Sequence, residues 1–169
     1  MSPAISPRHW HPCLAACGIG LALLLQGCQG GLRPLPGLNQ QLARLGSGQS
    51  PSLGMGWLAV IVSREGGRPQ VQLIDSQRQL PVPLPGLNRA DSLPIQVSVD
   101  GRGEQLAVVR QRDDRTELVL YRRSLMAVQP IAIEPAGVPR QVSLSADGRV
   151  LAVEVSRGGL WQIDLLELP

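Results

Sequence analysis

Aromatic residues are almost absent from this chain of 169 residues, which has no phenylalanine, one tyrosine and three tryptophans. The hydrophobic residues, 43 % of the total, are therefore mainly leucine, valine, alanine and isoleucine. A core built from them is aliphatic. The length is that of one domain, long enough to bury a core if most of the chain folds.

Lysine is absent as well, so all 16 basic residues are arginine. They alternate with acids, as in residues 110–115 (RQRDDR), and do not form blocks. A surface that binds nucleic acid needs clustered cations with few carboxylates between them. The pattern therefore predicts a solvated surface and no nucleic-acid partner, and the net charge of +3 identifies no other partner.

The chain also lacks an apolar run of membrane-spanning length. Its longest run, Leu14–Leu25, has 12 residues, whereas a spanning helix needs about 20. This length is typical of the apolar region of a signal peptide. The alternatives are an ordinary signal peptide cut near residues 15–20 and a buried apolar helix.

The run ends in Leu25-Gln26-Gly27-Cys28, which resembles the lipobox of bacterial lipoproteins. The resemblance implies a signal peptide over residues 1–27, cleavage between Gly27 and Cys28, and acylation of the Cys28 thiol. Two or three acyl chains anchor a protein stably, whereas one is marginal. We therefore expect a lipid-anchored protein on the periplasmic side of the cell envelope, with the outer membrane favoured because uncharged Gln29 follows the cysteine.

Cleavage at this point would remove every histidine and leave one cysteine, because His9, His11, Cys13 and Cys17 all precede it. A Ser-His-Asp triad, a Cys-His pair and a histidine-ligated metal site are then excluded. Glycine-rich phosphate-binding motifs and a G-x-S-x-G motif are absent too. The sequence predicts a protein that is not an enzyme and holds no cofactor or metal.

The sequence contains a repeat. PLPGLN occurs at 34–39 and again at 83–88, and Leu-Ala-Val triplets begin at residues 58, 106 and 151, in steps of 48 and 45. The glycines Gly37, Gly86 and Gly137 follow a similar step. Two series with one period indicate repeated structural units.

Each unit has the pattern of an antiparallel sheet. The Leu-Ala-Val segment predicts a buried strand, a polar turn and an alternating strand follow it, and the proline-containing segments 80–84 and 127–133 predict edge strands. Asp100-Gly101 and Asp147-Gly148 predict tight turns that supply positive φ angles. One acid per turn is too few for a calcium site, so we expect these residues to be structural.

Four antiparallel strands in 45–50 residues are typical of a β-propeller blade. The fold class expected is all-β, with three propeller-type blades at about 54–86, 93–135 and 139–169, forming a partial or half propeller. Residues 28–53, rich in Gly, Pro, Gln and Ser, are expected to form a flexible tether with a short helix at Asn39–Leu45.

Two segments resemble the blades of TolB-type propellers, the periplasmic component of the Tol system: SREGGRPQVQLID at 63–75 and VSLSADGRVLAV at 142–153. The family usually has an aromatic residue where this chain has Val97 and Val142, and the first unit has SLGMGW at 52–57 in place of the S-x-D-G turn. That family's propeller has six blades and an additional domain, so the resemblance implies the fold unit and only distantly a Tol partner.

Three functions follow as hypotheses. The first is a lipoprotein scaffold that binds an envelope protein or peptide. The second is the propeller subunit of an envelope hydrolase, and the third is a degenerate propeller fragment without independent activity.

The missing outer strand of the third unit raises the question of oligomeric state. Residues 32–35 stand where such a strand belongs in the repeat, and could complete the third blade of their own chain or of a neighbour. Two chains would then close a six-blade homodimer. An open monomer of three sheets is the alternative.

Overall fold

A computed structural model describes residues 33–169 of the chain, which form one helix and eleven strands. The elements are α1 Pro36–Leu45, β1 Ser47–Leu53, β2 Trp57–Ser63, β3 Gln70–Asp75, β4 Leu80–Val82, β5 Ser92–Val99, β6 Gln105–Arg112, β7 Arg115–Arg122, β8 Ala127–Ile131, β9 Val138–Leu144, β10 Val150–Arg157 and β11 Leu160–Glu167.

The strands form three antiparallel sheets with the orders β1-β2-β3-β4, β5-β6-β7-β8 and β9-β10-β11. We call them blades 1, 2 and 3. The all-β fold with three propeller-type blades is confirmed. The Leu-Ala-Val segments lie in the second strands, and the proline-containing segments form the edge strands β4 and β8, where a missing N–H costs no ladder bond.

Blade 3 has three strands within the described part of the chain. Residues 32–35 were predicted to supply the missing outer strand of blade 3. This prediction is wrong for residues 33–35, which form no strand and lead into α1. Pro36 occupies the first helical turn, where its fixed φ and missing N–H are tolerated. Good helix formers then extend the helix to Leu45.

Blade 1 begins earlier than expected. Ser47–Leu53 lies in the segment 28–53 that we expected to be a tether, yet it pairs with β2 as the first strand of the blade. Its polar sequence hides this, because most of its side chains are exposed and only the backbone pairs. A register shift between Gln49 and Ser52, where Ser50 has a φ of 53°, accommodates Pro51.

The two copies of PLPGLN therefore have different structures. The first runs into α1, whereas the second, 83–88, links β4 to β5. Asn88 binds the backbone of Val71 twice, accepting from its N–H at 2.8 Å and donating to its carbonyl oxygen at 2.9 Å. The Tyr121 hydroxyl donates to the Pro85 carbonyl oxygen at 3.1 Å. The second copy is thereby fixed at the junction of blades 1 and 2.

Aliphatic side chains form three core clusters, as the composition predicts. One lies between blades 1 and 2 and includes the only buried aromatic ring of the described residues, Tyr121. A second lies between blades 2 and 3. The third lies between blade 1 and α1. The facing surfaces of neighbouring blades are thus buried against each other, which is the packing logic of a propeller.

Candidate protein-binding face

The same three residue types stand side by side across each blade. A serine of the first strand pairs with an alanine of the second, and that alanine pairs with a leucine of the third. The rows are Ser52–Ala59–Leu73, Ser98–Ala107–Leu120 and Ser143–Ala152–Leu165. Directly paired residues of antiparallel strands share one face of the sheet, so each row marks one face of its blade.

The rows of blades 1 and 2 are covered by the following blade. Ala59, Leu73, Ala107 and Leu120 are all 0 % exposed. The first two belong to the cluster between blades 1 and 2, and the other two belong to the cluster between blades 2 and 3. The small alanine at the centre of each row lets the next sheet approach closely.

The serine of each covered row also binds the backbone of the next blade. The Val99 N–H donates to Oγ of Ser52 at 3.0 Å, and the Leu144 N–H donates to Oγ of Ser98 at 2.8 Å. The Ser52 hydroxyl in turn donates to Oγ of Ser98 at 3.4 Å. Both junctions between blades therefore use one repeated hydrogen bond.

A second series of backbone bonds runs beside the first. The Met55 N–H donates to the Gly101 carbonyl oxygen at 3.1 Å, and the Gly101 N–H donates to the Ala146 carbonyl oxygen at 2.9 Å. A Cβ on Gly101 would lie 2.8 Å from that Ala146 oxygen. Gly101 is thus required by the close approach of two blades.

The sequence predicted that Gly101 supplies a positive φ angle in its turn. That prediction is wrong, because Gly101 does not have a positive φ. The positive φ angles belong to Gly103, at 65°, and Gly148, at 74°. The two turns align on their serines, so that Gly103 is equivalent to Gly148 and Asp100 to Ser145. The prediction paired Asp100-Gly101 with Asp147-Gly148 and so was displaced by two residues.

Asp100 and Ser145 have the same structural role. Oδ1 of Asp100 accepts the N–H groups of the residues four and five positions later, at 2.8 and 3.1 Å. Oγ of Ser145 accepts from the same two positions at 3.1 and 2.9 Å. Asp147 is held by the Ser145 hydroxyl and the Arg149 N–H, which lower the pKa of its carboxyl group. Over residues 33–169, no three His, Cys, Asp or Glu side chains converge on a metal position.

Within residues 33–169, no blade covers the face on which the third row lies. Leu165 is 71 % exposed and its neighbour Ile163 is 67 % exposed, and Ser143 is exposed too. Together with Ala152 and Glu154 these residues form what we call the free face. A shallow groove of about 320 Å³ runs along it. The free face therefore carries the residues that bury the other two junctions.

One residue of the free face departs from the repeat. Glu154 pairs with Ile163 across the sheet, at the position that Ile61 and Val109 occupy in the other blades. Its carboxylate lies 3.9 Å from the guanidinium of Arg140, which in turn lies 4.9 Å from the centre of the Trp161 ring. An apolar surface with one partly exposed ion pair results.

The opposite end of the stack is covered. The face of blade 1 that points away from blade 2 carries Leu58, Val60, Val62 and Ile74, and α1 packs on it through Leu38. This face matches the faces of blades 2 and 3 that meet the preceding blade, where Leu106 and Val108 or Leu151 and Val153 take the same places.

A small cleft of about 160 Å³ lies between blades 1 and 2. Three arginines line it, and each is engaged by the chain: Arg68 by the Ala90 carbonyl oxygen, Arg89 by Asp91, and Arg110 by Glu117. Arg110 is 4 % exposed, and its Nη1 has no partner among the described residues. The cleft is thus an arginine-lined seam with one polar group left unpaired.

The lipobox residues Gly27 and Cys28 lie outside the described residues, so their role stays a prediction. Within residues 33–169, no helix is long and apolar enough to cross a membrane.

Sequence reasoning missed the serines of the rows. Ser98 and Ser143 stand in the repeated Val-Ser pair before the turns, a signal that could have identified them. Ser52 lies in the polar stretch before Trp57, where the repeat is too diverged to show it.

Comparison with known proteins identifies the fold. No family model and no curated protein sequence matches the chain. Among solved structures, TolB from Acinetobacter baumannii is similar with a TM-score of 0.54 at 15 % identity, over 70 % of this chain and 29 % of that one. The β-propeller domain of the Trilobed protease from Pyrococcus furiosus, described as having an open velcro topology, is similar with a TM-score of 0.53 at 11 % identity, over 74 % of this chain and 43 % of that one.

The C-terminal WD40 domain of Sif2 is also similar, with a TM-score of 0.41 at 13 % identity, over 66 % of this chain and 31 % of that one. The chain thus spans less than half the length of these three structures. The class of protein is a β-propeller. More particularly, its blades have the TolB-like fold and amount to part of such a propeller.

Proposed function

We propose that the protein is a lipid-anchored lipoprotein on the periplasmic side of the cell envelope, and that its three blades are a scaffold for binding protein. The observation that carries the binding role is the free face. It exposes a row that is buried wherever a following blade covers it, and burying apolar area of this kind is the main source of favourable free energy in protein association.

The lipid anchor is supported by the lipobox residues. Replacing Cys28 by Ser removes the thiol that would be acylated. We expect the variant to leave the membrane fraction and to lose labelling by a fatty-acid probe. Replacing Cys17 by Ser is the matched control, since this cysteine lies inside the predicted signal peptide. Equal labelling of wild type and the Cys28→Ser variant would contradict the proposal.

The binding role is tested by capturing partners from a detergent extract. We propose that the protein itself has no catalytic activity, so stable association with a protein is the expected readout. Charge placed on the free face by Ile163→Asp should abolish the association. Leu125→Asp, in the turn between β7 and β8, is the control because Leu125 is also 63 % exposed. Association that both variants leave intact would place the partner elsewhere.

A further inference from the structure

We propose that the free face of blade 3 binds blade 1 of a second copy of this chain, and that α1 occupies that surface of blade 1 until the second copy displaces it. The inference deepens the proposed function, because it names the occupant of the same face. It does not depend on the lipid anchor.

The two surfaces of this contact are equivalent to the surfaces that already pack between the blades. Each covered Ser-Ala-Leu row, in blades 1 and 2, packs against a face of the following blade. The second strand of that following blade carries leucine and valine on this face. In the described residues, the only unmatched face of that kind is the Leu58, Val60 and Val62 face of blade 1, which lies under α1. A second copy therefore supplies the face that the free row of blade 3 fits.

The hydrogen bond that repeats between the blades also fits this contact. Leu53 precedes the turn of blade 1 and is equivalent to Val99 and Leu144. The N–H groups of Val99 and Leu144 donate to the row serine of the preceding blade. Its side chain is 76 % exposed. Placed on the free face of another copy, the Leu53 N–H meets Oγ of Ser143. By the same register, the Ala146 N–H meets the Met55 carbonyl oxygen, continuing the second series of bonds.

The helix α1 covers the outer face of blade 1 incompletely. α1 has 10 residues and no side-chain hydrogen bond at its N-terminus, and Leu38 is its one buried residue. A groove of about 310 Å³ remains between the helix and the strands beneath it, and the buried Oε1 of Gln41 lacks a partner among the described residues. Helices this short are marginal without good packing. A blade that brings the repeated bonds covers this face better than α1 does.

Two such contacts form, each between blade 3 of one chain and blade 1 of the other. They relate the two chains by a two-fold axis and cover the end faces of both stacks. The result has six blades, within the range of closed propellers. No strand is exchanged. Glu154 lies in this contact where Ile61 and Val109 lie in the others, and burying its charge weakens the contact. The dimer is accordingly reversible.

The test is the mass of the full chain, extracted in mild detergent and measured by native mass spectrometry. We expect the mass of two chains. Ile163→Asp should shift the protein to the mass of one chain, by weakening dimerisation about tenfold or more. Leu125→Asp should not. Because Ile163 is already 67 % exposed, its replacement leaves the fold intact, which a thermal melt followed by circular dichroism verifies.

Two further variants should strengthen the dimer. Glu154→Val restores the residue type of Val109, and Leu38→Ala loosens α1. The inference is supported if the wild type, Glu154→Val or Leu38→Ala forms a dimer and if adding Ile163→Asp to that protein abolishes the dimer. A one-chain mass in all three, a dimer that Ile163→Asp leaves intact, or capture of a different protein by the free face without self-association would overturn it. Membrane release by Cys28→Ser is scored separately, so failure of the anchor is distinguishable from failure of the dimer.

Discussion

The two ends of the blade stack differ in how their apolar faces are treated. At the blade 1 end, four aliphatic residues are buried beneath α1. At the blade 3 end, Ile163 and Leu165 are exposed and an ion pair replaces an aliphatic contact. Repeat proteins need a polar or covered terminal unit to stay soluble. Among residues 33–169, a helix therefore covers one end while the other end exposes its apolar side chains, and it is the exposed end that we propose as the binding surface.

The largest difference expected between the two ends is the loss of folding stability when an isoleucine is replaced by alanine. Ile74 is 0 % exposed at the blade 1 end, whereas Ile163 is 67 % exposed at the blade 3 end. We expect Ile74→Ala to lower the free energy of unfolding by about 2–5 kcal/mol. Ile163→Ala should change it by less than about 0.5 kcal/mol in the monomer. Urea denaturation measures both, and equal losses would mean that both ends are covered in solution.

The helix itself is the next target. Leu38 is its one buried residue. A Leu→Ala change at a buried site costs at least about 2 kcal/mol, so Leu38→Ala should loosen α1, which Leu42 and Leu45 still contact, while the blades stay folded. We expect trypsin to cut after Arg44 about tenfold faster, since local opening governs such cleavage. Leu35→Ala is the control, because Leu35 is 62 % exposed, and an identical acceleration there would show that α1 is not held through Leu38.

The blades were predictable from the sequence because they repeat. The Leu-Ala-Val triplets mark the central strands, and proline marks the edge strands β4 and β8. The blade 1 end was not predictable, for two reasons. The strand β1 is a polar segment that pairs with β2 through backbone groups. Leu38 lies in the first copy of PLPGLN, which folds differently from the identical copy at 83–88. The free face could not be located either. A row such as Ser143–Ala152–Leu165 becomes visible only when strand register shows which residues share a face.

Ser98 and Ser143 occupy the same position of the repeat but have different surroundings. Oγ of Ser98 is the acceptor for the Leu144 N–H, whereas no blade packs on Ser143 within residues 33–169. Ser98→Ala should lower the free energy of unfolding by about 1–3 kcal/mol, because it leaves that N–H buried without a partner. Ser143→Ala should cost less than about 0.5 kcal/mol in the monomer. Thermal or urea unfolding at low protein concentration measures the pair. A large cost at Ser143 under those conditions would show that the free face is already occupied.

The smallest effect is a difference in pH dependence. At the blade 3 end, Arg157 donates to Oδ1 of Asp164 at 2.9 Å, and this hydrogen bond lowers the pKa of the Asp164 carboxyl group below its ordinary 3.8. A lowered pKa in the folded state stabilises the fold above the unfolded value, and that contribution is lost as the pH falls through the folded value. At the blade 1 end, α1 and β1 contain no acid, so neither element forms such a pair.

Asp164→Asn should therefore make the protein slightly less stable at pH 5–7, with the difference from wild type vanishing as the pH falls below about 3.8. The effect is small because the pair is partly solvated. Urea midpoints across this range measure it, with Arg157→Gln as the matched variant. Both changes remove the bond between Arg157 and Asp164, and Arg157→Gln also removes bonds to the Pro135 carbonyl oxygen and to Gln162. The double variant should therefore lose stability overall but show the same dependence on pH as Arg157→Gln alone. If Asp164→Asn still changes the pH dependence when Arg157 is Gln, a group other than Arg157 stabilises the Asp164 carboxylate.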